Sequence, residues 1–383
     1  MRSTSLLPRI LTRTALLRLA LGWGAFLAVL LAAPLLAAPL TTAVLWLVLA
    51  GIVAVIVICA FGVVTEAEHL ARRLGDPYGT LVLTLSIVLI EVILISAVML
   101  GPGEHPTIAR DSVMAVSMII LNLVIGVALL VSGIRHPRAH ANRTGVSTYL
   151  AVLIVLLAVA FALPGLIGVD GGYAPGQAIA LAALTVSFYG FFLWRQVGAQ
   201  SEDFTEPGAD AGADAASDAA APRDDIAETF REHRGELLAR TALLIATVLP
   251  IVLLSHDMAT LLDDALERTG APVALSGILI AMIVFLPETI TTIRAAHGGE
   301  IQRVSNLCHG ALVSTVGLTI PAVLVIGLFT GQPVVLAETP VNLVLLGTTL
   351  LLTLATFSGR RVNAVHGAAH LLVFVLYGMS VFA

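Results

Sequence analysis

Two glutamates, Glu91 and Glu288, each lie at the middle of a stretch apolar enough to sit in lipid: YGTLVLTLSIVLIEVILISAVML over 78–100, and SGILIAMIVFLPETITTIRAA over 276–296. A carboxylate at the centre of a membrane helix costs about 2.5–3.5 kcal/mol on insertion scales, so such a residue normally faces a partner or a wet cavity. Carboxylates in that setting do two kinds of chemistry: they hold a proton, or they supply oxygens to a hard cation. Beside Glu288, Pro287 lacks the N–H that would bond the carbonyl of Ile283, so a kink and a released backbone oxygen are expected there. Thr84 lies two turns before Glu91, and Thr291 and Thr292 one turn after Glu288, where their hydroxyls could join a site or bond their own helix. Burial and a neighbouring carboxylate would make the two acids titrate as one coupled unit. A site that must hold either protons or a cation is the working part of an exchanger.

The elements that position these groups follow from composition. The chain is 58% apolar and only 12% charged, where a soluble domain carries about 25% charged residues. Runs of about 20 apolar residues, each long enough to cross a bilayer as a helix, recur near 19–36, 42–64, 79–100, 110–133, 147–168, 176–195, 237–255, 273–294, 304–329, 340–357 and 362–382. Strand-type alternation is missing, which argues against a barrel. The expected fold is therefore an all-α polytopic membrane protein with about eleven crossings. A cleaved N-terminal leader is disfavoured, because the first apolar run exceeds a usual signal core.

All 20 basic residues are arginine. With the N-terminus inside, every inner connection carries arginine: Arg72 and Arg73; Arg135, Arg138 and Arg143; the group from Arg195 to Arg240; Arg294 and Arg303; Arg360 and Arg361. Only Arg110 and Arg268 fall outside, as the positive-inside rule requires. The protein is expected to cross the membrane many times, with a cytoplasmic N-terminus.

Between Gln200 and Asp225 the sequence turns to Ala, Gly, Asp and Glu, a composition that cannot bury enough to fold. This acidic cytoplasmic linker, assigned to 200–235, divides the chain into an N-terminal segment with the first span (1–40), a block of five spans (41–199) and a second block of five (236–383). Five is odd, so matching spans in the two blocks run in opposite directions, the pattern of inverted-repeat transporters. Glu91 and Glu288 each fall in the second span of their block.

The ninth span presents Asn306, Gly310, Ser314, Gly317 and Pro321 at helical spacing. Such a stripe serves close helix packing as well as it serves a pathway. Ser117 and Asn122 occupy the matching span of the first block, with Asp111 near its outer end beside Arg110. His309 is a candidate proton relay or a hydrogen-bonded interior histidine. His366 and His370 have a zinc-compatible i, i+4 spacing but no third ligand or HExxH pattern. Cys59 and Cys308 sit in apolar runs without CxxC partners and read as buried thiols.

The stretches FGVVTEAEHLARRLGDPYGTL with IVLIEVILI, and FLPETITTIRAA with QRVSNLCHGALVSTVGLTIPAV, resemble the two repeats of the cation/calcium exchanger superfamily, in particular its bacterial calcium, sodium or potassium to proton antiporters. The acidic linker and the VNAVHGAAHLLVF ending share in the likeness. The resemblance implies that Glu91 and Glu288 are the cation- and proton-binding carboxylates. It further implies that Asn122 and Ser314 help complete the site, and that Glu66 has a cytoplasmic capping or gating role. One departure bears on the substrate. Where many calcium/proton exchangers carry Gly-Asn ahead of each glutamate, this chain has Ile87 and Val88, and Val284 and Phe285. That removes oxygens a calcium ion, with its 6–8 ligands, would take.

The expectation is a secondary active antiporter exporting Ca2+, Na+ or K+ against H+, with no resident cofactor, no catalytic residues and no nucleic-acid partner. Its partners are inorganic cations, protons and the lipid bilayer. Glu91 and Glu288 are the expected ligands, with Asn122, Ser314, Asn306, Thr84, Thr291 and Pro287 as candidates to line the site. An intramembrane enzyme is the rival reading, but neither GxSxG nor HExxH occurs. A passive cation channel is the other rival.

Overall fold

The computed structural model describes residues 11–36, 40–74, 106–207, 226–272 and 274–382, and singly 88, 92, 95, 96 and 99. Glu91 and Thr84 lie outside the described residues. So does most of the third expected span, although Val88, Val92, Ile95, Ser96 and Met99 are helical.

Among the described residues every long element is a helix: α1 (Arg13–Leu36), α2 (Thr42–Leu74), α3 (Ile108–Arg135), α4 (Arg143–Ile167), α5 (Pro175–Val197), α6 (Ile226–Thr269), α7 (Ala274–Val284), α8 (Leu286–Gly298), α9 (Ile301–Thr330), α10 (Pro340–Ser358) and α11 (Ala364–Val381). Among the described residues nine helices are long and apolar enough to cross a membrane, or ten if the bent pair α7–α8 is one span. Helices are what a bilayer demands, because each satisfies its own backbone. Exposed Leu31, Leu166 and Phe329 give their surfaces to lipid. Two details differ from the expected boundaries. Helix α6 starts at Ile226, within the stretch assigned to the linker, and Ser201–Phe204 forms a 3-10 turn.

The chain divides into two compact units, one of residues 1–90 and 208–270, the other of residues 91–207 and 271–383. In the first, α1 and α6 pack along α2. Gly22 lets them meet closely: a Cβ there would stand 3.0 Å from both Cys59 Sγ and Pro250 Cγ. Trp23 Nε1 donates to the carbonyl of Ala246 at 3.0 Å. The C-terminal part of α2 and the N-terminal part of α6 are tied by Arg240, which donates to Glu66 at 2.9 Å and to Glu236 at 3.1 Å. All three side chains are nearly buried.

In the second unit, α3 and α9 form the interior, with 83% and 67% of their apolar stretches buried. Helix α3 carries a π-helical turn at Ile119–Val124, and α4 another at Ala158–Ala162. Glycine brings α3 and α11 into backbone contact: a Cβ on Gly367 would lie 2.5 Å from the Gly126 carbonyl oxygen. The helix ends are capped by side chains. Asn142, Thr339 and Asn363 each accept a backbone N–H in the first turn of α4, α10 and α11. Gly299, at φ 85°, closes α8 in the left-handed conformation that glycine adopts without strain.

Candidate functional site

The span containing Glu288 is broken where the sequence places its proline. Helix α7 ends at Val284, Phe285 is a turn residue, and α8 resumes at Leu286, with the axes bent by 58°. Phe285 still donates its N–H to Ala281, and its carbonyl accepts both the N–H and the hydroxyl of Thr289. Pro287 sits in the first turn of α8 and offers no N–H to the carbonyl four residues back. Glu288 thus occupies the first turn of a new helix inside a membrane span, where the helix dipole favours a negative charge.

Glu288 is half-buried and lines a small cavity with Thr289, Thr292, Cys308, Ile120 and Phe285. The cavity measures about 10 Å³, near the lower limit for one water molecule. Thr292 is buried, and its Oγ1 stands 4.0 Å from Cys308 Sγ. Thr291, one position earlier, is half-buried. The setting places one carboxylate and two threonines around a space about the size of one water molecule, within walls that are almost wholly apolar.

Asn122 of α3 and Ser314, Asn306 and His309 of α9 are engaged with other partners. Asn122, wholly buried in the π turn, donates to Thr349 Oγ1 at 2.9 Å, and its Oδ1 faces His370 Nδ1 at 3.3 Å. The far nitrogen of His370 meets Thr356 at 3.2 Å. His370 is thereby joined to helices α3 and α10, which accounts for it without zinc. Ser314 accepts the Tyr189 hydroxyl proton at 2.9 Å and donates back to the Gly310 carbonyl. Asn306 bonds Gln302 and the Phe204 carbonyl. His309 is buried with Nδ1 2.9 Å from Ser305 and its ring edge-on to Phe357. Gly310 and Gly317 of the small-residue stripe face Tyr149 and Tyr189, so that stripe is packed against aromatic rings. Of the residues singled out in the sequence, the cavity takes Glu288, Thr292 and Cys308, while Asn122, Ser314, Asn306 and His309 sit among other partners. Glu66 pairs with Arg240 in the first unit. Cys308 is a buried free thiol, as its apolar run implies, and from α9 it also lines the cavity.

The root of the acidic linker is attached to this unit. Glu206 accepts the N–H groups of Gln302 and Arg303 at 3.0 and 3.3 Å, capping the first turn of α9. Phe204 packs edge-on to Tyr149. Burial pushes the Glu206 carboxyl above its ordinary range, against the backbone N–H groups that lower it.

A family model described as "Sodium/calcium exchanger protein" matches residues 44–198 and 240–382. The sodium-potassium/proton antiporter ChaA of Escherichia coli K12 is 32% identical over 333 residues, covering 85% of this chain and 86% of its own length. Among solved structures, native YfkE superposes with a TM-score of 0.67 at 16% identity, over 95% of this chain and 99% of its own. An H+/Ca2+ exchanger, CAX, gives a TM-score of 0.63 at 14% identity, over 96% and 89%. At those identities the two structures bear on the fold.

Proposed function

The chain belongs to the sodium/calcium exchanger protein family, and on that premise we propose that it is a secondary active antiporter exporting Ca2+, Na+ or K+ in exchange for H+. The observation that carries the reading is Glu288, placed at a break in a membrane span beside a cavity about the size of one water molecule with two threonines as neighbours. Identity of 32% to an antiporter of sodium, potassium and protons supports it, and favours the monovalent ions that the missing Gly-Asn pairs also favour.

In this reading Glu288 and Glu91 bind cation and proton alternately. Each loaded state is neutralised, and the empty, doubly charged state is too costly to move across the membrane. That cost makes exchange obligatory. Thr291 and Pro287 of α8, with Thr84 of the other half, supply or release further oxygens. Asn122, Ser314 and Asn306 hold the surrounding helices in place, and Glu66 acts at the inner end. The eleven-span topology, with a cytoplasmic N-terminus, a first span (1–40), inverted blocks at 41–199 and 236–383 and an acidic linker at 200–235, belongs to the same proposal. It draws support from the two matched segments, which flank the linker. The protein then resides in a bacterial inner membrane.

The test is cation-triggered collapse of a preset proton gradient in everted vesicles, with sodium, potassium and calcium added separately. Release of protons by one or more ions in the wild type, lost in Glu91→Gln and Glu288→Gln at equal membrane abundance, is the expected result. Full coupled exchange in either variant refutes the site.

A further inference from the structure

A second buried carboxylate stands apart from Glu288. Glu338 belongs to the loop between α9 and α10, and its side chain is only 1% exposed. One oxygen, Oε2, is satisfied by the Thr339 N–H at 3.0 Å and by Asn342 Nδ2 at 2.8 Å. The other, Oε1, is buried and has no hydrogen-bond partner among the described residues. Its nearest cation is Arg110, whose Nε lies 4.0 Å away, beyond hydrogen-bond range. Arg110 is engaged elsewhere: Nε donates to Asp111 Oδ1 at 2.8 Å, and Nη1 to the Ala337 carbonyl at 3.1 Å. The charged and titratable groups facing Glu338 are therefore Arg110 and Asp111 from α3, and Tyr377 from α11, which lies within electrostatic reach of both carboxylates. Helix α10 contributes Asn342 alone. Glu104 and His105, before α3, lie outside the described residues.

One guanidinium thus serves two carboxylates, and it has chosen the more exposed one, Asp111, 35% exposed at its side chain. An ionised Glu338 would leave a charged oxygen buried without a hydrogen bond and with its nearest cation 4.0 Å away, which is unfavourable unless the group takes up a proton. We infer that Glu338 is a second proton-binding site of the protein, occupied while Arg110 pairs with Asp111, and that release of its proton draws Arg110 across to Oε1. Burial accordingly holds this carboxyl above its ordinary range, with Arg110 and the two hydrogen-bond donors opposing. Proton occupancy at Glu338 stands whatever cation the chain moves; only its access from the outer solution rests on the orientation proposed above.

The experiment is infrared titration of the full-length protein in lipid. The carboxylic-acid C=O band and the carboxylate bands are compared between wild type, Glu338→Gln and Arg110→Gln as pH is raised. The wild type minus Glu338→Gln difference should show an acid band that converts to carboxylate with a midpoint above the ordinary glutamate value of 4.5. In Arg110→Gln that midpoint should rise by about one unit, a tenfold tighter proton. Should Glu338→Gln fail to fold, site-specific isotope labelling of Glu338 in otherwise unaltered protein isolates the same band. A carboxylate signal from Glu338 down to pH 4.5, or a midpoint indifferent to Arg110, overturns the inference. Glu288 is chemically separate, so loss of exchange in Glu288→Gln would leave the Glu338 band in place.

Discussion

Replacing Arg240 by methionine should weaken the first unit markedly. The guanidinium donates to Glu66 at 2.9 Å and to Glu236 at 3.1 Å, and the three side chains are only 10–11% exposed. At that burial the pairs escape the screening that reduces surface ion pairs to a few tenths of a kcal/mol. Removing one partner of a buried pair costs about 3–5 kcal/mol, because the charges left behind lose their counter-ion. Here two carboxylates lose the cation they share, so the upper part of that range applies. At roughly 2–4 °C per kcal/mol, unfolding should fall by about 8–20 °C. Trp23, bonded to the Ala246 carbonyl within the same unit, is a local fluorescence reporter for heating in detergent at a fixed scan rate. The same physics makes the triple variant Glu66→Gln, Glu236→Gln, Arg240→Met recover most of the loss, since it removes both carboxylates together with their guanidinium. A single variant within about 1 kcal/mol of wild type, as for an exposed pair, or a triple variant no better than the single one, would refute the reasoning.

Three further outcomes follow from the second unit. Gly317→Leu should destabilise it by about 1–3 kcal/mol through overpacking, because a Cβ there would lie 2.9 Å from the Tyr189 ring; thermal unfolding checks it, and an unchanged midpoint would contradict the packing. Asn142→Ala should cost about 1 kcal/mol, since the side chain accepts the Thr144 and Gly145 N–H groups at 3.0 and 3.4 Å. For Glu206 the sign is set by its raised carboxyl. A group that binds its proton more tightly when folded adds stability below its unfolded value and gives it up as pH rises through the folded one. Unfolding midpoints of wild type should therefore fall relative to Glu206→Gln as pH climbs from the ordinary 4.5; a rise of wild type over the variant would contradict the burial argument.

Much of this architecture was legible in the sequence because apolar run length is dictated by the bilayer. The expected spans 340–357 and 362–382 meet helices Pro340–Ser358 and Ala364–Val381 almost residue for residue. The break at Pro287 was legible for a covalent reason, the missing N–H. What was not legible depends on pairs distant in sequence. Nothing near Ser314 announces Tyr189 as its partner, 125 residues away, nor does anything near Asn122 announce Thr349 and His370. The stripe on α9 reads alike as pathway or packing until the tyrosines appear opposite it. The π turn around Asn122 has no signal in its apolar sequence IILNLV. In sequence Glu338 is an ordinary loop carboxylate, and only burial against α3 and α11 makes it unusual. Arg240 was counted among the inner-side arginines, where a loop charge and a buried clamp look the same.

The central claim, obligatory exchange at a pair of carboxylates, is tested most directly by measuring cation efflux and proton uptake together in proteoliposomes, with a pH gradient as the only driving force. The account predicts that wild type drives a cation uphill with protons entering in fixed proportion, and that Glu288→Gln, folded and inserted to the same extent, does neither. Cation flux that runs only downhill, or that continues without proton movement, would make the protein a channel and contradict the account.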